Sequence, residues 1–149
     1  MEILNKEALR QYEQIETYEA GVALTGAEVK SIRGNRILFH TSFCKFIGNE
    51  LYWLGAEIPP YKYARVEGYD PLRNRKLLLE KRELVRLRTK LSEHSSLTVV
   101  VLKCYTKGNF LKLKIALSKG RKAHELKSVE KERDIKRNDL QMAKEFLKS

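Results

Sequence analysis

The chain has 149 residues, 42% of them hydrophobic, which is enough for one domain with a core. Its formal net charge of +11 favours a polyanionic partner such as nucleic acid, although a soluble protein with a basic surface would have the same composition. No apolar run approaches the roughly 20 residues of a membrane helix, and the charged start MEILNKEALRQ is not a signal peptide. We therefore expect a cytoplasmic protein with no membrane partner.

The basic charge is spread over two parts of the chain. Residues 1–118 hold 20 basic and 13 acidic side chains, and residues 119–149 hold 10 and 6. The second part begins KGRKAHELKSVEKERDIKRNDL and has little apolar area to offset a backbone ordering cost of roughly 1–2 kcal/mol per residue. The sequence predicts a folded domain over 1–118 and a tail over 119–149 that is disordered alone.

The predicted elements begin with a strand over residues 12–24, in which Gly21 is a candidate bulge. The segment TGAEVKSIRGN follows, and it carries a T-x-x-E capping box from Thr25 to Glu28 with a glycine at the helix end. These signals predict a short helix over 26–33.

Residues 37–58 have the composition of two strands joined by a turn at Gly48-Asn49. Two prolines then end regular structure, and a loop follows that carries Tyr61, Tyr63 and Tyr69.

Asp70-Pro71 supplies an N-cap type of residue followed by proline, which predicts a helix start. The helix is predicted to continue to Leu91 because leucines recur at helical spacing, at Leu77, Leu84, Leu87 and Leu91. Its other faces are mostly basic from Arg73 to Lys90, so this helix could follow a phosphate backbone or present an ordinary solvated surface.

The segment LTVVVLKCYT predicts a buried strand, KGN a hairpin turn and FLKLKIALS a second strand. Strict alternation in the second strand puts Lys112 and Lys114 on the face opposite its aliphatic side chains. The fold class is therefore α+β and mainly β, an antiparallel barrel with peripheral helices. A barrel of the OB type is one architecture that fits, and such barrels often bind oligonucleotides.

Patterns typical of catalysis or metal binding are missing. The histidines lack zinc-ligand spacing, so no metal or cofactor is expected. Cys44 and Cys104 are far apart, which suits a reducing compartment. No nucleophile or general base can be assembled into a site, so we expect no catalytic residues. A small RNA-processing nuclease, which is an alternative function, would need such a site.

Basic residues interleaved with tyrosines are typical of RNA-binding proteins. Each tyrosine could stack on a base or lie in the core with its hydroxyl at the rim: Tyr12, Tyr18, Tyr61, Tyr63, Tyr69 and Tyr105. Glu19 could accept hydrogen bonds from base amino groups or be an ordinary surface glutamate. His124 could stack on a base or be solvated.

Five colinear stretches covering nearly the whole chain resemble one family. They are NKEALRQYEQIETYEAGVALTGAEVKSIRGN, EIPPYKY, DPLRNRKLLLEKREL, LTVVVLKCY and LSKGRKAHELKSVEKERDIKR. They resemble small protein B, the SsrA-binding proteins that partner transfer-messenger RNA in bacterial trans-translation. The resemblance implies an OB-like barrel with a C-terminal tail, and it implies a monomeric adaptor that is not an enzyme. Its implied partners are the tRNA-like domain of transfer-messenger RNA, the stalled ribosome and elongation factor Tu with the aminoacylated RNA.

The resemblance also implies functional residues. The RNA-binding positions are Asn5, Lys6, Glu19, Lys30, Lys76 and Leu78, and Leu78 is expected to support the surface from beneath. The ribosome-binding tail comprises Gly120, Arg121, Lys122, His124, Lys127, Lys131, Arg133, Lys136 and Arg137. In the family the histidine works in the decoding centre and the later basic residues become helical in the messenger channel. In this sequence Glu125-Leu126-Lys127 replaces the usual D-K-R. The alternative function is an OB-like ribosomal protein or translation factor that binds rRNA constitutively.

Overall fold

The structure is a computed structural model that describes residues 1–63, 67–122 and 126–127. Its strands are β1 (Glu2–Leu4), β2 (Tyr12–Val22), β3 (Phe43–Ile47), β4 (Glu50–Leu54), β5 (Arg75–Leu78), β6 (Leu97–Lys107) and β7 (Phe110–Gly120). Its helices are α1 (Lys6–Gln11), α2 (Gly26–Arg33) and α3 (Lys81–Glu93).

The strands form one antiparallel sheet in the order β1-β6-β3-β4-β5-β2-β7. Strand β7 also pairs with β6, which closes six strands into a ring and leaves β1 attached to the outside of β6. The predicted class, mainly β with a few helices, is confirmed.

Alternating aliphatic side chains of the long strands fill the ring. Leu113 and Ile115 on β7 and Trp53 on β4 are fully buried. Ile32 of α2 and Leu87 of α3 join the same core cluster. Because apolar burial contributes about 25 cal/mol per Å², these two helix contacts stabilise the ring and fix where α2 and α3 lie.

The predicted helix over 26–33 and both predicted hairpins are present. The Thr25 hydroxyl accepts from the Glu28 backbone N–H at 3.2 Å, and the Glu28 carboxylate accepts from the Thr25 backbone N–H at 2.9 Å. This reciprocal capping box satisfies two N–H groups that the first turn leaves unpaired.

The predicted helix from residue 71 to 91 is wrong in its first half. Residues 75–78 are strand β5, and α3 begins at Lys81. The Asp70 carboxylate accepts from the Leu72 backbone N–H at 3.0 Å, so this residue caps a turn instead of a helix. Leu77 is buried, but it reaches the core from a strand, and its helical spacing from the leucines of α3 is coincidental. The start of α3 is set by a capping box between Glu80 and Glu83.

Two further features of the sheet differ from the prediction or add to it. The irregularity in β2 lies between Gln14 and Glu16 and not at Gly21. At Gly21 a Cβ atom would lie 3.3 Å from the Cβ of Leu78, so the glycine allows β2 and β5 to approach closely. Strand β1 and helix α1 were not predicted.

A buried ion-pair network joins α2 to β5. Glu28 and Arg75 are both fully buried, and the Arg75 Nε donates to the Glu28 carboxylate at 2.6 Å. Arg73 donates to the other carboxylate oxygen at 2.5 Å. Burial acts to raise the pKa of Glu28, but hydrogen bonds from the Thr25 backbone and the two arginines outweigh it and lower that pKa. The network holds the loop before β5 against α2.

Candidate nucleic-acid interface

Strand register places a basic surface on the outside of the ring. Gly21 on β2 lies opposite Leu78 on β5 and Lys112 on β7, and Lys112 lies opposite Tyr105 on β6. One step along, Glu19 lies opposite Lys114. Directly opposite residues in an antiparallel sheet share a face. We call this surface the lysine face, and it comprises Glu19, Leu78, Lys103, Tyr105, Lys107, Lys112 and Lys114.

Glu19 is the acidic centre of the lysine face. Lys107 Nζ lies 3.3 Å from each of its carboxylate oxygens. Hydrogen bonding from the Tyr105 hydroxyl, followed by that from Lys107, lowers the pKa of Glu19. The carboxylate is therefore ionised at neutral pH and is fixed in position as a hydrogen-bond acceptor.

Tyr105 supplies an aromatic ring and a donor to the same face. Burial, followed by hydrogen bonding to Glu19, raises the pKa of Tyr105 to about 12. The hydroxyl therefore keeps its proton at neutral pH and can donate it to Glu19. The Nζ of Lys103 lies 5.2 Å from the ring centroid, within the range of a cation–π contact.

The expectation that Leu78 supports the surface from beneath is wrong, because its side chain is 53% exposed. It follows the buried Leu77 on β5, and successive side chains of a strand point to opposite sides. An open hollow beside it is lined by Glu19, Gly21, Lys107 and Lys112. Leu78 therefore offers apolar contact area directly next to the carboxylate and two cations.

Helix α1 covers a neighbouring part of the outer surface of β6 and β7. Its Ala8 packs against Val100, Leu102 and Ala116 on the outer side of β6 and β7. Asn5 caps the helix and is only 4% exposed. Its Nδ2 donates to the backbone oxygen of Val101 at 2.8 Å, and its Oδ1 accepts from Ala8 N–H at 3.3 Å. Asn5 thus positions α1 at the border of the lysine face, whereas the neighbouring Lys6 is exposed.

The other two predicted RNA-binding lysines lie in different places. Lys76 is two residues before Leu78 on β5 and therefore on the same side of the strand, with its Nζ 3.6 Å from Glu50. Lys30 is on α2, where its Nζ lies 5.5 Å from the ring centroid of Tyr61. Lys30 thus belongs to a surface built by α2, and the register of the sheet does not bring it to Glu19.

Two of the tyrosines are held by packing and hydrogen bonds within the protein. Tyr69 is half-buried and donates to the Ile58 backbone oxygen at 2.6 Å. Tyr18 packs against the core and donates to Glu16 at 2.5 Å. Both are core residues with the hydroxyl at the rim.

Four predicted tail residues lie within the described chain. Gly120 is the last residue of β7 and pairs with Tyr12, and the Arg121 backbone N–H donates to the Gln11 oxygen at 2.8 Å. Lys122 and Lys127 are exposed. The others lie outside the described residues: His124, Lys131, Arg133, Lys136 and Arg137.

Sequence reasoning missed Lys103 and Lys107 as candidates. The alternation in β7 had already placed Lys112 and Lys114 outward, and the same signal was available for these two in β6. What the sequence lacked was the register that brings Glu19 to Lys107, 88 residues later in the chain.

Other chemistry is limited in the residues that the structure describes. They contain no group of three or more histidine, cysteine, aspartate and glutamate side chains placed to hold a metal ion. Cys44 and Cys104 are free and buried, and burial raises the pKa of both thiols. No helix among these residues is long and apolar enough to cross a membrane.

The chain was compared with known proteins and structures. The family model described as SmpB protein matches residues 2–145. An SsrA-binding protein of Aquifex aeolicus is 46% identical over 134 residues, which cover 89% of this chain and 85% of the relative. One of Prochlorococcus marinus is 44% identical, over 89% of this chain and 76% of the relative. A solved structure described as "tmRNA-SmpB: a journey to the center of the bacterial ribosome" matches with a TM-score of 0.68 and 43% identity, over 82% of this chain and 85% of that one. The chain belongs to the SmpB protein family.

Proposed function

We propose that this protein is an RNA-binding adaptor of trans-translation that holds the tRNA-like domain of transfer-messenger RNA on its lysine face. The observation that carries the proposal is the placement of Glu19 among Lys103, Lys107, Lys112 and Lys114 on one outer surface. Lysines neutralise phosphates, which supplies affinity without selectivity. A fixed carboxylate accepts hydrogen bonds from base amino groups or ribose hydroxyls, which supplies selectivity.

The names of the relatives and of the matched structure support the same partners, since they mention SsrA, tmRNA and the bacterial ribosome. Membership of the SmpB family agrees with a role that is not enzymatic. The proposal includes action in the cytoplasm as a monomer, with elongation factor Tu bringing the aminoacylated RNA. The tail, with Gly120, His124 and the later basic residues, would sense the empty decoding centre and messenger channel.

The test is competition between two RNAs. Binding of the tRNA-like half of transfer-messenger RNA is measured against an equal excess of ordinary tRNA, over a series of salt concentrations. The wild type should prefer the tRNA-like half, and log K should fall with log salt by about 0.7 to 0.9 per phosphate contact. Glu19→Ala should reduce the preference by about tenfold or more, the scale of one lost base contact.

Glu13→Ala is the matched control, because Glu13 is another exposed carboxylate on β2, opposite Lys119 and away from Leu78. It should retain the preference. If both RNAs bind alike, and Glu19→Ala behaves like the wild type, then the protein is a general basic RNA binder and the proposed function is wrong.

A further inference from the structure

Three aromatic rings are placed to meet a partner: Tyr61 and Tyr63 lie outside the lysine face, and Phe110 lies at its edge, opposite Lys107. Tyr63 and Phe110 are 75% and 69% exposed, the two highest values among the exposed large hydrophobic side chains in the described part of the chain. The third ring, Tyr61, packs edge-on against Tyr63, with 5.5 Å between centroids. Rings this exposed give up the burial that normally stabilises an aromatic side chain.

Each of these rings has a lysine beside it. Lys30 Nζ lies 5.5 Å from the centroid of Tyr61, and Lys62 Nζ lies 5.6 Å from that of Tyr63. Lys112 Nζ lies 5.9 Å from Phe110. The surface therefore repeats one unit, a flat ring with a cation within cation–π range.

Helix α2 holds the two parts of this surface together. Lys30 and Arg33 are three residues apart and so lie on one side of the helix. Lys30 covers Tyr61, while Arg33 donates to the backbone oxygen of Asn109, the residue before Phe110, at 3.2 Å. Ser31 donates to the Pro59 oxygen at 2.7 Å and anchors the loop that carries the tyrosines.

We propose that Tyr61, Tyr63 and Phe110 form a second RNA-binding surface, the aromatic edge, which stacks the unpaired bases of a single-stranded RNA segment. Base stacking on aromatic rings needs accessible base faces, which a double helix conceals. Every base of such a segment is accompanied by a phosphate, which matches the lysine beside every ring. Lys112 belongs to both surfaces, so one RNA can pass from the lysine face to the aromatic edge. This inference rests on the proposed function for its ligand class.

The experiment measures binding of a fluorescein-labelled hexauridylate to the full chain by fluorescence anisotropy. The double variant Tyr63→Ala/Phe110→Ala should bind about 5- to 150-fold more weakly for each stack lost. The matched variant Tyr63→Phe/Phe110→Tyr keeps both rings and should bind like the wild type. Both pairs replace exposed side chains, so the urea midpoint should not change, and Val85→Ala, at a 58% exposed position on α3, should have no effect.

Salt dependence separates stacking from charge. Tyr63→Ala should weaken binding without changing the slope of log K against log salt, because it removes no cation. Lys62→Ala should reduce the slope by about 0.7, the value for one phosphate contact with a single strand.

The two proposals fail differently. If the alanine pair binds hexauridylate like the wild type, the aromatic edge is not an RNA site and its rings are left for a protein partner. The competition between tRNA-like RNA and tRNA would still decide the proposed function in that case. Tyr63→Ala should keep the preference in that competition while binding hexauridylate more weakly; equal loss in both assays would mean that there is one RNA surface and would overturn the second.

Discussion

Glu19 is an acidic side chain on a surface that we propose binds phosphate, and its neighbours determine how it can contribute. A carboxylate has about four lone-pair sites, and here Lys107 Nζ lies 3.3 Å from both oxygens of Glu19. The remaining sites can accept from RNA while Lys107 offsets the negative charge. The side chain therefore acts as a directional acceptor and weakens the attraction of the surrounding lysines only locally.

The Tyr105 hydroxyl can be tested separately from its ring. Tyr105→Phe removes the donor that contributes most to the low pKa of Glu19, so that pKa should rise toward its ordinary value. NMR titration of the Glu19 carboxyl carbon measures the change, and Tyr12→Phe is a control outside the lysine face. An unchanged Glu19 pKa in Tyr105→Phe would show that this hydrogen bond does not hold the carboxylate.

At the scale of elements, the join between α2 and β5 depends on a buried charge. Arg75→Met removes the guanidinium and leaves Glu28 buried with one arginine fewer, which should lower the free energy of unfolding by about 3–5 kcal/mol. Urea denaturation gives the value. The matched control is Lys76→Met, the next residue on β5, whose partly exposed pair with Glu50 should cost about 1 kcal/mol or less. Equal losses in the two variants would contradict a structural role for the buried network.

Helix α3 is fastened to β2 by a second ion pair with a distinct pH dependence. Arg86 donates twice to Glu16, at 2.6 and 3.0 Å. This bonding, with a hydrogen bond from Tyr18, lowers the pKa of Glu16 from 4.5 to about 2. A carboxyl whose pKa is lower in the folded state stabilises the fold above its unfolded pKa and loses that contribution as pH falls through the folded value.

Arg86→Met should therefore be less stable than the wild type above about pH 4.5, and the gap should close progressively toward pH 2. Urea midpoints of both proteins over that range measure the gap. Arg82→Met removes another exposed arginine of α3, whose partner Glu80 is the residue just before the same helix, and should not show this dependence. A gap for Arg86→Met that stays constant from pH 6 to pH 2 would rule out Glu16 as its cause.

Local signals predicted those elements whose ends are set by neighbouring residues. The capping box at Thr25 and the alternation at Lys112 and Lys114 both act within a few residues, and both predictions held. The start of the helix before Leu91 failed because Asp70-Pro71 suits a turn as well as a helix. Leucine spacing alone cannot tell a buried strand residue from one on a helix stripe. The signal at Glu80 and Glu83 was present, but the glutamate cap is weaker than the usual types.

At the scale of the whole molecule, the lysine face is a product of ring closure. It draws on β2, β5, β6 and β7, and the pairing of β7 with both β2 and β6 brings their outward residues together. Each outward side chain could be predicted from alternation, but the pairs between strands depend on register, which long-range packing decides. The family resemblance implied Glu19 and Leu78 as candidate site residues, and only the register shows that they are neighbours.

The proposed division between ring and tail makes a prediction for the whole chain. Ending the chain after Lys122 keeps β7 and the bond from Arg121 to Gln11, so binding to the tRNA-like RNA should remain nearly intact. Peptide tagging on stalled ribosomes should be lost, because the tail would be missing from the messenger channel. Gel-shift and in vitro tagging assays measure the two activities. Full-length Glu19→Ala keeps the tail, so its main loss should be in the preference for the tRNA-like RNA. A truncated chain that fails to bind RNA would contradict the division.

The length of β7 has a mechanical consequence. Lys112 sits near the β6–β7 turn, and the chain leaves the sheet at Gly120, eight residues and about 27 Å further along. Under the proposed function, the hairpin would be a spacer of set length between RNA bound at one end and the chain that leaves the sheet at the other. Adding two residues to each of its strands would extend the reach by about 7 Å while every side chain kept its face. Tagging assays with such lengthened variants would measure how much change in this distance is tolerated between the proposed RNA site and the proposed site of the tail in the messenger channel.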